Sequence, residues 1–588
     1  MALFGKRRKT KARLYVIDET PAPGAGAPAT AVVVATSARA RAAARARNRI
    51  GMCAVAFLAA FVGLGARLAM VAGGGAPSPG AAPTAQAGAE SRPEILDRNG
   101  VLLAANVPTV ALEIAGREVW DPEETAAAIA GVFPEIDAAS LAGKLREGRY
   151  VEVLNDLTPA QRAQVFALGL PGVRFSARAR RFYPQEDLAA HVVGHLTPGR
   201  GGAMGLERAL DRRADAGPLV ASIDIRVQQA LEDELARAME AFSAKAAWGA
   251  VMDVATGEVL ALASLPDFDP NAPGAAPADW RRNRATYDRY ELGSAFKPLT
   301  AAAALEAGAA SEDSTYDARG TYRIADWTIR DFRGENRILT FSEVIQHSSN
   351  IGMARMAEDL GPARQRAALK ALGLLDPLPI ELAENRAPEP PARWGPVESA
   401  TVAYGHGISV TPLHLLAAFA AVVNGGEYRA PTFLKQAGAR PGARVFSEET
   451  SAIMRRTLRR VVTGGSARKA EAPGYYPIGK TATAEKPRRG GYDRSARIAS
   501  FVGAFPGHAP RYAVLVSLDE PQPTPETYGF ATAGWNAAPA FARFVARAAP
   551  ALGIAPVNEA TALAGFYEGG RSVALDPADR LAALENAP

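Results

Sequence analysis

AAWGAVMDVATGEVLALAS, residues 246–264, is two apolar runs joined at Thr256-Gly257. Strand-length apolar runs on either side of a Gly-containing turn predict a β-hairpin. Just ahead of it, Val227, Ala230, Leu231, Leu235 and Met239 recur at helical spacing with Gln and Glu between them, which predicts a helix over Val227–Met239. Beyond the hairpin, Leu299–Leu305 begins an Ala-rich helix, and Ser500–Phe505 and Tyr512–Leu518 are apolar runs suited to central strands. A hairpin, then helices, then strands returning late in the chain predict an α/β or α+β domain over about 245–550, a sheet flanked by helices. Upstream, Leu188–His195 and Leu219–Ile223 read as short strands or strand ends near Gly/Pro breaks, and residues 551–588 read as a tail. There is no internal repeat at 20–50-residue spacing.

Charge placement organises the other end. Residues 1–49 carry eleven Lys/Arg against Asp18 and Glu19, a net +9, so a chain total of +6 leaves −3 on the other 539 residues. The body is slightly acidic, which removes the main support for nucleic-acid binding. Ile50–Ala66 is uncharged and Leu68–Ala72 extends it past Arg67, whose stem can snorkel to an interface. Residues 50–72 are long enough to span a bilayer. The basic residues before the span place the N-terminus on the cytoplasmic side. An uncleaved anchor is the expected reading; its rival is a cleavable signal peptide, for which small residues at Gly73–Pro77 are the support. The Gly/Ala/Pro-rich stretch 73–90 is a flexible linker, and beyond Glu90 the chain is mixed in composition. The single Cys, Cys53 within the apolar span, excludes a disulfide framework and a multi-cysteine zinc site. Six scattered His suggest no metal cluster, and no cofactor is expected.

Three short motifs carry chemistry. Ser294-Ala295-Phe296-Lys297 is an S-x-x-K: at a helix start, positions i and i+3 share a face, so a desolvated lysine can take the serine's proton. A second copy, Ser466-Ala467-Arg468-Lys469, lies among Gly464, Gly465 and Pro473 and reads as a solvated turn. Ser348-Ser349-Asn350 is an S-x-N, whose plain reading is a helix cap before Ile351–Met356. Lys480-Thr481-Ala482-Thr483 reads as a strand with both threonines on one face, where two hydroxyls beside a cation can hold a carboxylate.

In that order, S-x-x-K, S-x-N and K-T-(G/A) resemble the set used by penicillin-binding proteins and serine β-lactamases. Further segments carry the resemblance: Arg92–Gly100 with Leu103-Ala104, Arg181–Pro184, His191–Gly194, Gly205–Glu207, Gly490–Tyr492, Ser500–Gly503 and Asp519–Pro521. From about Ile50 to Leu552 the chain resembles the class B penicillin-binding proteins, most closely the FtsI-type division transpeptidases of proteobacteria. The resemblance implies that 91–244 is the pedestal (dimerisation-type) domain and that the 245–550 domain is serine β-lactamase-like. It implies Ser294 as nucleophile, Lys297 as acylation base, Ser348 as proton relay, and Asn350 holding Lys297 and the donor amide. Lys480, Thr481 and Thr483, with Ala482 between them, would bind the terminal carboxylate, and the N–H groups of Ser294 and Thr483 would form the oxyanion hole. The implied substrates are peptidoglycan stem peptides ending in D-Ala-D-Ala, with β-lactams as covalent inhibitors. The implied partners are an FtsW-type glycosyltransferase and other divisome membrane proteins, and the implied location is the inner membrane at the septum, with a periplasmic catalytic domain.

Two positions depart from the family pattern. Ala482 stands where Gly is usual, and its methyl is expected to narrow the acyl pocket or shift the carboxylate site; Pro93 replaces a Gly in the first pedestal motif. His406 and His414 read as bland, since Lys297 removes the need for a Ser-His-Asp triad. Trp327, Trp394 and Trp535 read as packing residues, and Asp326 and Asp331 as part of a solvated loop. Two other functions remain open: an elongation-specific class B transpeptidase, and a catalytically weak β-lactam sensor or scaffold, for which Ala482 is the support.

Overall fold

The computed structural model describes residues 92–567, apart from 198, 214–216 and 489–490. The basic tail 1–49, the expected span 50–72 and the linker 73–90 lie outside the described residues. Among the described residues no helix is long and apolar enough to cross a membrane.

The N-terminal part is built on an antiparallel sheet with one parallel join. β1 (Ile95–Leu96) pairs antiparallel with β2 (Leu102–Ala115). Asp97, fully buried in the turn between them, accepts the N–H groups of Asn99 and Val101 at 2.7 and 2.8 Å, an Asx-type turn. Helices α1 (Pro122–Val132) and α2 (Ala138–Arg146) lay Ile129, Leu141 and Leu145 on Leu112 and Ile114 of β2, forming a small separate core. β3 (Tyr150–Leu157) and β4 (Val173–Phe182) flank β2, and β5 (Leu219–Val220) runs parallel to β1.

Three segments distant in sequence meet here. Glu207, wholly buried, receives Arg92 Nε at 2.5 Å and Arg181 Nε at 2.6 Å on its two oxygens. His191–Gly194 and Gly205–Glu207 pack backbone on backbone: a Cβ on Gly194 would lie 1.9 Å from the Met204 carbonyl, and Gly194 sits at φ +78°. Only glycine fits that approach. The short strand expected over Leu188–His195 is instead a turn and a single helical turn, Ala190–Val193. Four apolar or aromatic neighbours in sequence do not separate a strand end from one buried helical turn.

The C-terminal part is a five-stranded antiparallel sheet wrapped by helices. α3 (Ile225–Ala241) precedes the hairpin of β6 (Ala246–Asp253) and β7 (Val259–Leu265), every residue of which is buried. Asp253 accepts the N–H groups of Ala255 and Thr256 in the turn. Next come α4 (Lys297–Glu306), α5 (Asn350–Leu360), α6 (Pro412–Val423) and α7 (Glu448–Thr463). β8 (Ile478–Arg488), β9 (Gly491–Phe505) and β10 (Tyr512–Asp519) complete the sheet in the order β8-β9-β10-β6-β7. β10 is therefore the central strand that its apolar run predicts. α8 (Ala537–Ala551) and α3 pack together against the sheet, and α6, buried at every position, packs against β6, β9 and β10. A helix apolar all round belongs in a core. With a sheet that is antiparallel throughout, the α+β alternative is the one realised. Within the expected tail, α9 (Glu559–Tyr567) buries Ala562 and Phe566. Most of the core is continuous from Ile95 and Leu206 through to Phe544, so the described residues form one compact unit.

Candidate active site

Ser294 lies in a 3₁₀ turn, Gly293–Phe296, that runs directly into α4. Three residues per turn stack positions i and i+3, so Ser294 and Lys297 stand on one side. The turn is wedged between two other segments. The Gly293 N–H donates to the Gly405 carbonyl at 3.2 Å, and a Cβ built on Gly293 (φ +52°) would lie 3.6 Å from Ala484 Cβ of β8. The first and third motifs thus meet at the edge of the sheet.

The second motif is both cap and site. Ser349 caps α5, its hydroxyl accepting the Gly352 N–H at 2.9 Å. That leaves Ser348, at φ +61°, outside the helix with its hydroxyl reaching Ser294. A non-glycine residue in the left-handed region costs about 1–3 kcal/mol and persists only where its surroundings over-determine it. Asp331 supplies the restraint: its carboxylate accepts the Ser349 hydroxyl at 2.7 Å, the Ile351 N–H at 3.0 Å and the Asn350 N–H. Asp331 was expected in a solvated loop; it is the anion at the start of α5, where a negative charge is favoured.

At the centre, the Ser348 hydroxyl donates to Ser294 Oγ at 3.0 Å and accepts from Lys297 Nζ and Lys480 Nζ, each at 3.0 Å. A hydroxyl has one proton and two lone pairs, so two donating lysines leave its proton only Ser294 as acceptor. Lys297 also donates to the Ser348 carbonyl, and Lys480 to the Thr481 carbonyl at 3.1 Å. Both lysines are fully buried. Burial, then repulsion from Lys480, push Lys297 well below its ordinary value against an opposing pull from Asp331; burial lowers Lys480 to about 7. Two ammonium groups on one hydroxyl cannot both stay charged without water, so one neutral amine is the natural state of the pair.

Thr481 and Thr483 share a face of β8, opposite Phe501 and Ala499 of β9. Thr483 Oγ1 accepts the Ala533 N–H at 3.1 Å. Ala482 points to the other face, the one that carries Lys480 and Ala484 toward Ser348 and the Gly293 turn, and its methyl is buried there. The second S-x-x-K is not a detached solvated turn, since Ser466 Oγ lies 2.5 Å from Thr481 Oγ1. Lys469 from the same copy sits over Trp535, 4.5 Å from the ring centroid, while Trp535 stacks on Phe530. The Asn350 side chain donates to the Arg330 carbonyl at 3.2 Å and makes no hydrogen bond to Lys297. His414 bonds Thr411 Oγ1 and the Asp376 carbonyl and is held down to about 4 by burial, a structural histidine. Trp394 donates to Gln365 at 3.1 Å, a packing contact, while Trp327 is half exposed. No group of His, Cys, Asp and Glu that could hold a metal occurs among the described residues.

A serine with a buried lysine one turn on, bridged by a second serine and a second lysine at a strand edge, defines a serine acyltransferase of the penicillin-recognising kind. Residues 248–546 match the family described as "Penicillin binding protein transpeptidase domain", and residues 89–218 match "Penicillin-binding Protein dimerisation domain". The chain is 43% identical over 491 residues to the "Probable peptidoglycan D,D-transpeptidase FtsI" of Caulobacter vibrioides, covering 81% of this chain and 83% of that protein. It is 29% identical over 527 residues to the "Peptidoglycan D,D-transpeptidase FtsI" of Escherichia coli, covering 82% and 88%. The solved transpeptidase domain of Burkholderia pseudomallei penicillin-binding protein 3 superposes with a TM-score of 0.52 at 33% identity, over 57% of this chain and 98% of that one. The protein belongs to the class B penicillin-binding proteins of FtsI type, and it is a serine-type peptidoglycan D,D-transpeptidase.

Proposed function

We propose that Ser294 is the nucleophile, that Lys297 is its base through acylation, and that the enzyme works at the division septum. The observation that carries the chemistry is the chain of hydrogen bonds from Lys297 through Ser348 to Ser294. Neutral Lys297 takes the Ser294 proton through Ser348, whose hydroxyl turns to accept from Ser294 and donate to Lys297, while Oγ attacks the carbonyl of the penultimate D-Ala. The N–H groups of Ser294 and Thr483 receive the developing oxyanion. As the C–N bond breaks, Ser348 passes a proton to the leaving D-Ala amine and regains one from Lys297, which returns to its neutral form. Lys480, Thr481 and Thr483 hold the terminal carboxylate, a charge-assisted contact. Asn350 holds the donor peptide's amide after its side chain leaves Arg330. The ester on Ser294 is then attacked by the amine of a neighbouring stem, and β-lactams stop the cycle at the ester. In a gel with fluorescent penicillin, Ser294→Ala should abolish labelling. Ser466→Ala should keep the covalent label and bind donor more weakly, because its hydroxyl supports Thr481. Loss of label from Ser466→Ala alone would sink the assignment.

The membrane reading rests on charge and hydropathy: a net +9 before one apolar stretch and an almost uncharged linker after it. The proposed form is a single-pass inner-membrane protein with the N-terminus cytoplasmic and the enzyme periplasmic, beside an FtsW-type glycosyltransferase and other divisome proteins. Protease added to intact spheroplasts should digest everything beyond residue 73; protected Ser294 peptides would refute this topology. Fluorescence at mid-cell supports division, and lateral-wall signal would instead support elongation. Penicillin labelling without cross-linking of lipid-linked substrate would mark a sensor or scaffold.

A further inference from the structure

The segment that leads into the Ser294 turn carries a carboxylate that the donor half of the reaction leaves unused. Glu291 stands three residues before Ser294, on the segment whose Gly293 is bonded to Gly405. Its two carboxylate oxygens accept the Tyr492 hydroxyl at 3.0 and 3.1 Å, and His406 Nδ1 lies 3.2 Å away. The His406 ring rests on Tyr492 (centroids 4.7 Å apart), and the Tyr404 ring lies 6.2 Å from it. Three separate segments therefore converge on one carboxylate beside the nucleophile turn. The carboxylate keeps only 13% of its side-chain exposure, while His406 keeps 33% and opens the cluster to solvent. Among the described residues no lysine or arginine pairs with Glu291. Burial and Glu291 hold Tyr404 up at about 12 and raise Tyr492 further, so both phenols stay neutral. A mostly buried carboxylate ringed by aromatic faces, with no lysine or arginine on it among the described side chains, matches an ammonium ion, which both the charge and the rings attract.

We propose that Glu291, with His406 and Tyr492, docks the ammonium group of the acceptor stem for the second half-reaction. This rests on the acyl-transfer reading above and names the binding side of its second substrate. The docked ammonium gives one proton to Glu291. The freed amine attacks the acyl carbonyl, so a C–N bond forms and the C–Oγ bond to Ser294 breaks. A second nitrogen proton goes to Ser294 Oγ, the third stays on the new amide, and the neutralised Glu291 releases its proton to solvent.

The test is a partition ratio measured on the full chain. An N-acyl-D-alanyl thioester acylates Ser294, and the ester then divides between water and added D-alanine, whose amine is protonated at neutral pH. Glu291→Gln should lower the ratio of transfer to hydrolysis ~10–100-fold at sub-saturating D-alanine, the range for a hydrogen-bonded charge. Glu291→Asp should recover part of the loss, and partition to methanol, which carries no charge, should not change. The ratio is taken only over molecules that acylate, so a smaller folded fraction does not alter it. A Glu291→Gln ratio within twofold of the parent overturns the docking site, as does an equal loss with methanol. A parent that takes no penicillin and releases no thiol overturns the acyl-transfer reading instead.

Discussion

Replacing Lys297 separates proton transfer from mere positive charge. Arginine keeps a cation and several donors at this position but cannot give up its proton. Methionine has similar length and bulk but no charge. Lys297 is fully buried and hydrogen-bonded to both the hydroxyl and the carbonyl of Ser348. General-base catalysis contributes ~10²–10⁴-fold, or about 2.7–5.5 kcal/mol of barrier. If neutral Lys297 draws the proton from Ser294, both variants should lose acylation by that factor. Their stabilities should part company. Arginine enlarges a site with no spare room and should cost about 1–3 kcal/mol by overpacking. Methionine removes one of two crowded cations, so Lys297→Met should melt no lower than the parent, and higher if relief of repulsion from Lys480 outweighs the lost bonds. The assay pairs stopped-flow acylation by a chromogenic cephalosporin with thermal denaturation of the same samples. A folded Lys297→Arg or Lys297→Met that acylates within threefold of the parent would refute the role of Lys297 as base while leaving the family untouched.

Asp331 should matter through the geometry of Ser348. Asp331→Ala strips acceptors from the Ser349 hydroxyl and two backbone N–H groups, so it should cost about 1–3 kcal/mol of stability. It should also lower the acylation rate, with Asp331→Asn intermediate in both measurements; parental acylation in a folded Asp331→Ala would show that Ser348 needs no such restraint. Stability should also rise with pH. Lys480 titrates at about 7 when folded and ~10.4 when unfolded, so across that window the unfolded chain binds the extra proton. The favourable shift therefore grows from about pH 7 and is complete above ~10.4, by at most ~1.4 kcal/mol per pH unit. The parent's melting temperature should climb more steeply from pH 7 to 9.5 than that of Lys480→Met, and equal slopes would refute the shift. Far from the site, Glu207→Gln leaves Arg92 and Arg181 buried without their shared anion and should cost about 3–5 kcal/mol. A melting temperature unchanged from the parent would show that the cluster carries no stability.

Local pattern was enough wherever a residue's task is set by its near neighbours. Two apolar runs around Thr256-Gly257 can bury both faces only as paired strands in a core, and they do. The helical period over Val227–Met239, the central strand over Tyr512–Leu518 and the alternation that puts Thr481 and Thr483 on one face were readable for the same reason. So was Ser349 as a cap, because a cap bonds only three residues ahead.

What lies at long sequence separation needed the fold. Asp331 restrains Ser348 from seventeen residues upstream, and nothing in the charged stretch around it distinguishes a cap from a solvated side chain. Ser466 joins Thr481 only because the chain after α7 turns back over the start of β8. Ala482 lies buried on the face of Lys480, a matter of which side of one strand is packed. Glu207 gathers Arg92 and Arg181 from 115 and 26 residues away, and Glu291 gathers His406 and Tyr492. The lowered values of Lys297 and Lys480 come from burial and mutual approach, which no spacing encodes. Sequence determines which groups are present and how neighbours along the chain must fold, because those forces act over one or two turns. Only the closed core determines which distant groups share a desolvated space, and in that space a lysine is held well below its ordinary value.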